Sequence, residues 1–119
     1  MKLKDLPENP VEITLSMLNN KWKSLIIKEL LTGTKRFNEV KAAVGTITQK
    51  VLAANLRDME EKGLLKREEF QEKPPRVEYT LTDLGYSLAV VLDSMAEWGS
   101  AYKELLKIIE KREKKKSVD

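Results

Sequence analysis

The sequence predicts a mainly helical α+β fold, a winged helix-turn-helix domain with N- and C-terminal dimerisation helices. Three observations lead there. Between Ile47 and Gly85 a helix, a charged hairpin and a second helix start follow one another directly. After Gly63 the apolar pattern changes from a period near 3.6 toward a period of 2. From Leu84 to Ile109 apolar residues recur at alternating steps of 4 and 3, a heptad seam.

Pro10 can occupy the first turn of a helix, and Val11, Leu15 and Leu18 then repeat at i, i+4 and i+7, so a short amphipathic helix is expected up to Asn19-Asn20. A second helix starts near Lys21. It places Trp22, Leu25, Ile26, Glu29 and Leu30 on one stripe with Lys21, Lys23 and Lys28 elsewhere, and Gly33 is its stop. Trp22 reads as a core anchor. A third helix, roughly Phe37 to Val44, follows the basic turn Lys35-Arg36 and is closed by Gly45.

Thr48 is a good N-cap for the fourth helix, with Ile47 and Leu52 placed to form a hydrophobic staple. Leu52, Leu56 and Met59 form its inward stripe. Gln49, Lys50, Ala53 and Arg57 then fall on or near the opposite face. Leu65–Phe70 and Arg76–Leu81 read as two strands, the second with Val77, Tyr79 and Leu81 on one face. Between them the Lys73-Pro74-Pro75-Arg76 tip is stiffened by two prolines, which makes the hairpin a wing. The last helix is expected from Thr82 to about Lys111, interrupted only at Gly99. Leu84, Leu88, Val91, Met95, Trp98, Tyr102, Leu105 and Ile109 form its seam, and so small a body can cover only part of it. The far half is expected to meet a second copy across a two-fold axis.

The 119 residues fit one domain, 1–119, with a DNA-reading body at about 21–81 and dimerisation helices at about 10–19 and 82–111. Hydrophobic residues make up 41% and charged residues 34%, and no apolar run approaches a bilayer span, so no membrane association is expected. The amino terminus lacks an apolar signal core, and a cytoplasmic location is the default. Cysteine and histidine are both absent, which removes disulfides, thiolate nucleophiles, zinc sites built on either residue and the usual proton shuttle. Adjacent carboxylates such as Glu60-Glu61 point apart on a helix, and no phosphate-binding, nucleophile-elbow or calcium-loop motif occurs. No enzyme activity, cofactor or metal is expected. Lys and Arg total 22 against 19 Asp and Glu, a net charge of +3 that permits nucleic-acid binding without requiring it. The run Lys111 to Lys116 reads as a solvated, fraying basic end.

Placement of charge says more. In a helix-turn-helix the second helix enters the major groove by its amino-terminal residues while nearby cations hold phosphates. Gln49 can pair bidentately with adenine, Lys50 can donate to guanine, and Thr48 can offer its hydroxyl. Ala53 is small enough for the helix to sit deep. Arg57, Lys73, Arg76, Lys35 and Arg36 are candidates for phosphate, and double-stranded DNA is the expected partner. A capped, solvated helix turn and ordinary hairpin charges would look similar taken singly; their joint order favours DNA.

The segments Pro10 to Leu15, Lys21-Trp22-Lys23 with Glu29-Leu30-Leu31, Arg36 to Val40, Ile47 to Leu52, Leu56 to Leu64 and Pro74 to Thr82 resemble the HxlR-type transcriptional regulators, relatives of the MarR type. The likeness spans about residues 9 to 99. It implies a homodimeric regulator that binds a near-palindromic operator, with the first helix (Val11, Leu15, Leu18) and the last (Val91, Met95, Trp98, Tyr102, Leu105, Ile109) at the dimer interface. Many such proteins carry a sensing cysteine just before the Pro-Val of the first helix; here that residue is Asn9, so a thiol switch is excluded. A pocket beside the dimer helices, walled by Trp22, Trp98 and Tyr102, could take an unidentified small-molecule effector, although packing is the simpler account of each residue. The rival reading is a winged-helix protein-interaction module without sequence-specific DNA binding.

Overall fold

The computed structural model describes residues 2–117. Contacts divide the chain into a compact unit ending at Ala89 and a second one from Val90 onward.

After a single 3-10 turn at Leu3–Asp5, the first unit runs α1 (Pro10–Met17), α2 (Lys21–Leu30), β1 (Lys35–Arg36), α3 (Phe37–Val44), α4 (Gln49–Glu61), β2 (Leu65–Phe70), β3 (Arg76–Leu81) and α5 (Asp83–Ser87). Helix starts are set by side-chain acceptors. Asn9 accepts from the Val11 N–H, with Pro10 filling the first helical position, and Asn20 accepts from the Lys23 N–H. The three strands form an antiparallel sheet in the order β1-β3-β2, with Leu65 opposite Leu81 and Phe70 opposite Arg76. Ile26, Ile27 and Leu30 from α2, Val40 from α3, Leu52, Leu56 and Met59 from α4, and Leu64, Leu65, Tyr79 and Leu81 from the sheet region are buried. Each fully buried aliphatic side chain contributes about 1.5–3 kcal/mol.

Helices one to four, both wing strands and the alternation of Tyr79 and Leu81 follow the sequence expectation, with four differences. Lys35-Arg36 is a short strand paired with Tyr79 and Glu78 of β3 rather than a free turn. Trp22 is only half-buried, with the Lys21 ammonium 4.5 Å over its ring. Lys23, expected off the apolar stripe of α2, lies on it and is 3% exposed, whereas Leu25, expected on it, is exposed.

The fourth difference is in the last helix, which breaks at Leu88 and runs uninterrupted through Gly99. Thr82 donates its N–H to the Leu64 carbonyl and its hydroxyl to that of Gly63, which anchors α5 to the start of the wing. At the end of α5 the Leu88 N–H turns to the Gly85 carbonyl, an i−3 bond that ends the α-helical ladder. Leu84 and Leu88 are therefore not on the long helix: Leu84 is exposed on α5, and Leu88 is buried at the break.

The second unit is the helix α6 (Ala89–Ser117), 29 residues long, which carries Lys111 to Lys116 in its last turns rather than as a frayed end. Met95, Trp98, Tyr102, Leu105 and Ile109 are exposed along it, while Val91 is half-buried. The Trp98 and Tyr102 rings stack with centroids 5.4 Å apart. No helix among the described residues is long and apolar enough to cross a membrane.

Candidate nucleic-acid interface

The turn between α3 and α4 is built by Gly45, whose φ of +93° suits a residue without a side chain and whose N–H closes α3 on the Lys41 carbonyl. Ile47 is buried, and Thr48 accepts the Val51 N–H at 3.1 Å, so the chain enters α4 with its first turn held from below. Gln49 and Lys50 stand exposed in that turn; Arg57 is exposed two turns on, and Ala53 is half-buried between them. The structure thus brings Thr48, Gln49, Lys50 and Arg57 to one solvent-facing side of a well-anchored helix.

The remaining candidates surround the start of α3 and the wing. Arg36 is exposed at the N-cap of α3, where its N–H donates to Glu39. Lys35 is half-buried and 3.8 Å from Glu29. A cleft of about 450 Å³ runs between this helix start and the wing tip, lined among others by Arg36, Asn38, Lys73 and Arg76. Lys73 is exposed at the tip, ahead of a cis bond to Pro74. Arg76 is more constrained: its guanidinium lies 3.3 Å from Glu72, 3.2 Å from Glu78 and 4.2 Å over the Phe70 ring. Those contacts brace the hairpin. They also neutralise much of the cation, leaving Lys73 the freer charge at the tip.

Behind α4 lies a polar cluster that the sequence reading passed over. Lys23 pairs with Asp58 and donates to Asn19 at 2.7 Å, and Lys62 reaches Asp58 at 3.0 Å and the Ser16 carbonyl at 2.8 Å. One turn away, Asn20 donates to Asn55 at 2.9 Å while Asn55 donates to the Val51 carbonyl at 2.9 Å. Burial works to raise the Asp58 pKa, but the hydrogen bonds and charges of Lys23 and Lys62 outweigh it and hold the carboxyl below its ordinary 3.8. A sequence signal existed: Lys23, Ile26, Ile27 and Leu30 follow i, i+3, i+4, i+7, as do Leu52, Asn55, Leu56 and Met59. Among the described residues no group of acidic side chains could hold a metal.

Residues 17–107 match the family described as HxlR-like helix-turn-helix. The chain is 41% identical over 101 residues to YdeP of Bacillus subtilis, named an uncharacterised HTH-type transcriptional regulator, covering 85% of this chain and 79% of the relative. It is 44% identical over 92 residues to another uncharacterised HTH-type transcriptional regulator, from Methanothermobacter thermautotrophicus, covering 77% and 70%. Among solved structures, the reduced form of the redox regulator HypR superposes with a TM-score of 0.76 at 38% identity, covering 83% of this chain and 98% of that one. HypR is named for redox regulation, whereas none of these 119 residues is a cysteine. A helix-turn-helix with a wing, a profile match over most of the chain and relatives named as regulators rather than enzymes lead to one assignment: the chain belongs to the HxlR-like helix-turn-helix family of transcriptional regulators.

Proposed function

We propose that this regulator works as a homodimer in the cytoplasm and reads a near-palindromic operator in double-stranded DNA. The observation that carries the reading is the first turn of α4, where Gln49 and Lys50 project from a helix capped by Thr48, entered from the buried Ile47 and packed by its opposite face into the core. Gln49 and Lys50 read base edges, with Thr48 at the helix start; Arg57 and Lys73 hold phosphates, joined by Arg36 and Lys35 near the start of α3. Arg76 serves mainly by keeping the wing in shape.

The dimer is supported by the exposed apolar line on α6 and by Val11 and Leu15, both exposed on α1. A water-soluble monomer rarely leaves such a line open. Two copies related by a two-fold axis would present their α4 helices about 34–36 Å apart, one turn of duplex. The carboxylates Glu68, Glu69 and Glu72 on the wing favour the second reading, a protein-docking module, because they oppose phosphate. Binding to duplex DNA as a function of salt separates the two. The DNA reading expects affinity to fall steeply with salt, and Arg57→Ala or Lys73→Ala to flatten that slope by about one unit each. No binding at low salt would favour the docking module.

A further inference from the structure

We infer that Asn20 and Lys23 are positioning residues for base reading: together they fix the rotation of α4 about its own axis and so set which base edges Gln49 and Lys50 reach. This rests on the reading of α4 as the base-reading helix.

Asn20 and Lys23 are three residues apart at the start of α2, and their partners Asn55 and Asp58 are three apart on α4. The two contacts form a two-rung ladder between the helices, with rungs one turn apart. At about 100° per residue, Asn55 stands about 180° around α4 from the midpoint of Ala53 and Arg57 and Asp58 about 120°, so one rung grips the face opposite the exposed one and the other its flank. Lys23 is 3% and Asn55 7% exposed; a slip would leave the Lys23 ammonium with Asn19 but no counter-charge, and the Asn55 side-chain oxygen without its donor.

The other inward residues of α4, Leu52, Leu56 and Met59, are buried, and their apolar contacts constrain rotation by shape alone. Hydrogen bonds add a directional constraint. Side-chain ends lie about 5–6 Å from a helix axis, so a turn of about 10° carries them about 1 Å. A preorganised site tolerates about half that. A satisfied buried polar network thus adds to the packed core a directional bond pattern that holds one rotational setting of α4.

The test uses the full chain carrying Asn20→Ser, Lys23→Met or both. Serine keeps a capping oxygen for α2 but lacks the amide that reaches Asn55, and methionine keeps the length of Lys23 while Asp58 retains Lys62. Base preference is read by selecting bound duplexes from a random pool, with folding checked by circular dichroism and phosphate contacts by the salt slope. The double variant is expected to lose about tenfold in the ratio of specific to non-specific affinity, the worth of one bidentate base contact, with the salt slope unchanged. Lys23→Arg should keep the wild-type preference. If the double variant does not fold, the single variants give the same reading with smaller losses. Folded variants that select the same bases as the wild type would overturn the inference. A wild type that binds every duplex alike would instead overturn the assignment of α4, and the inference with it.

Discussion

Lys23 and Asp58 form an ion pair of unequal burial: the lysine side chain is 4% exposed and the aspartate 36%. The carboxylate is what allows an ammonium to sit on the inner face of α2, and it is shared with Lys62 on its own helix. α2 is thereby joined to α4 by charge as well as by apolar packing. Removing Asp58 leaves Lys23 a hydrogen bond to Asn19 but no counter-charge, whereas removing Lys23 leaves Asp58 with a second cation and partial access to water.

Asp58→Asn should therefore cost about 2 kcal/mol at neutral pH, less than the 3–5 kcal/mol of a wholly buried pair because the carboxylate is partly solvated. Its pKa is lower folded than unfolded, so Asp58 stabilises fully above the ordinary carboxylate range, and this is lost as pH falls through the folded value, below 3.8. Thermal unfolding of both proteins from pH 7 to pH 2.5 checks this. The gap in Tm should narrow in acid; a constant gap would contradict the pairing.

Gly85 and Gly99 should respond to alanine in opposite directions. A Cβ at Gly85 would meet the Leu64 carbonyl oxygen at 2.0 Å, and backbone there cannot move aside without disturbing the junction of the wing and α5. A loss of more than about 2 kcal/mol is expected in urea unfolding. Gly99 lies within α6 with nothing within 4 Å of an added Cβ, and alanine should gain about 0.5–1 kcal/mol there.

Trp98 is 71% exposed yet stacks on Tyr102, an arrangement that leaves a broad apolar surface facing outward on α6. Sedimentation at micromolar concentration should give a dimer for the wild type. Trp98→Glu should give a folded monomer, since a charge at an apolar interface is left unpaired. A wild-type monomer would remove the case for α6 as an interface.

The wing should separate two kinds of cation. Lys73→Ala should reduce the salt slope of DNA binding by about 0.9, the value of one phosphate contact on duplex. Arg76→Ala should leave the slope nearer the wild-type value and instead loosen the hairpin, seen as faster amide exchange in β2 and β3, because its charge is already met by Glu72 and Glu78. Equal slope losses in both variants would contradict this division.

Local signals account for most of what the sequence made legible. Thr48 caps α4 where a capping side chain should, Gly45 stops α3, and the period-2 run from Arg76 to Leu81 is the strand it suggested. The break at Leu88 was hidden because Leu84, Leu88 and Val91 continue a helical spacing without a fault. The tie of Thr82 to Gly63 and Leu64, a contact between residues 18 or 19 apart in the chain, fixes the start of α5, and the Leu88 N–H bond to the Gly85 carbonyl ends it. The Lys23 cluster escaped notice because a lysine is usually read as solvent-facing, and only its partner 35 residues away makes burial tolerable. Among the interface candidates the exposed positions of α4 were readable from periodicity, while the partial neutralisation of Arg76 depends on how the wing folds Glu72 at its tip and Glu78 on the same strand toward the guanidinium.

The central claim is that the first turn of α4 reads bases in each half of a symmetric site. Selection of bound duplexes from a random pool by the wild-type protein and by Gln49→Ala tests it most directly. The account predicts an inverted repeat with half-sites centred about one helical turn apart for the wild type, and loss of preference at one base position per half-site for the variant, with the repeat retained. Enrichment of no sequence by the wild type, or an identical motif from Gln49→Ala, would contradict it.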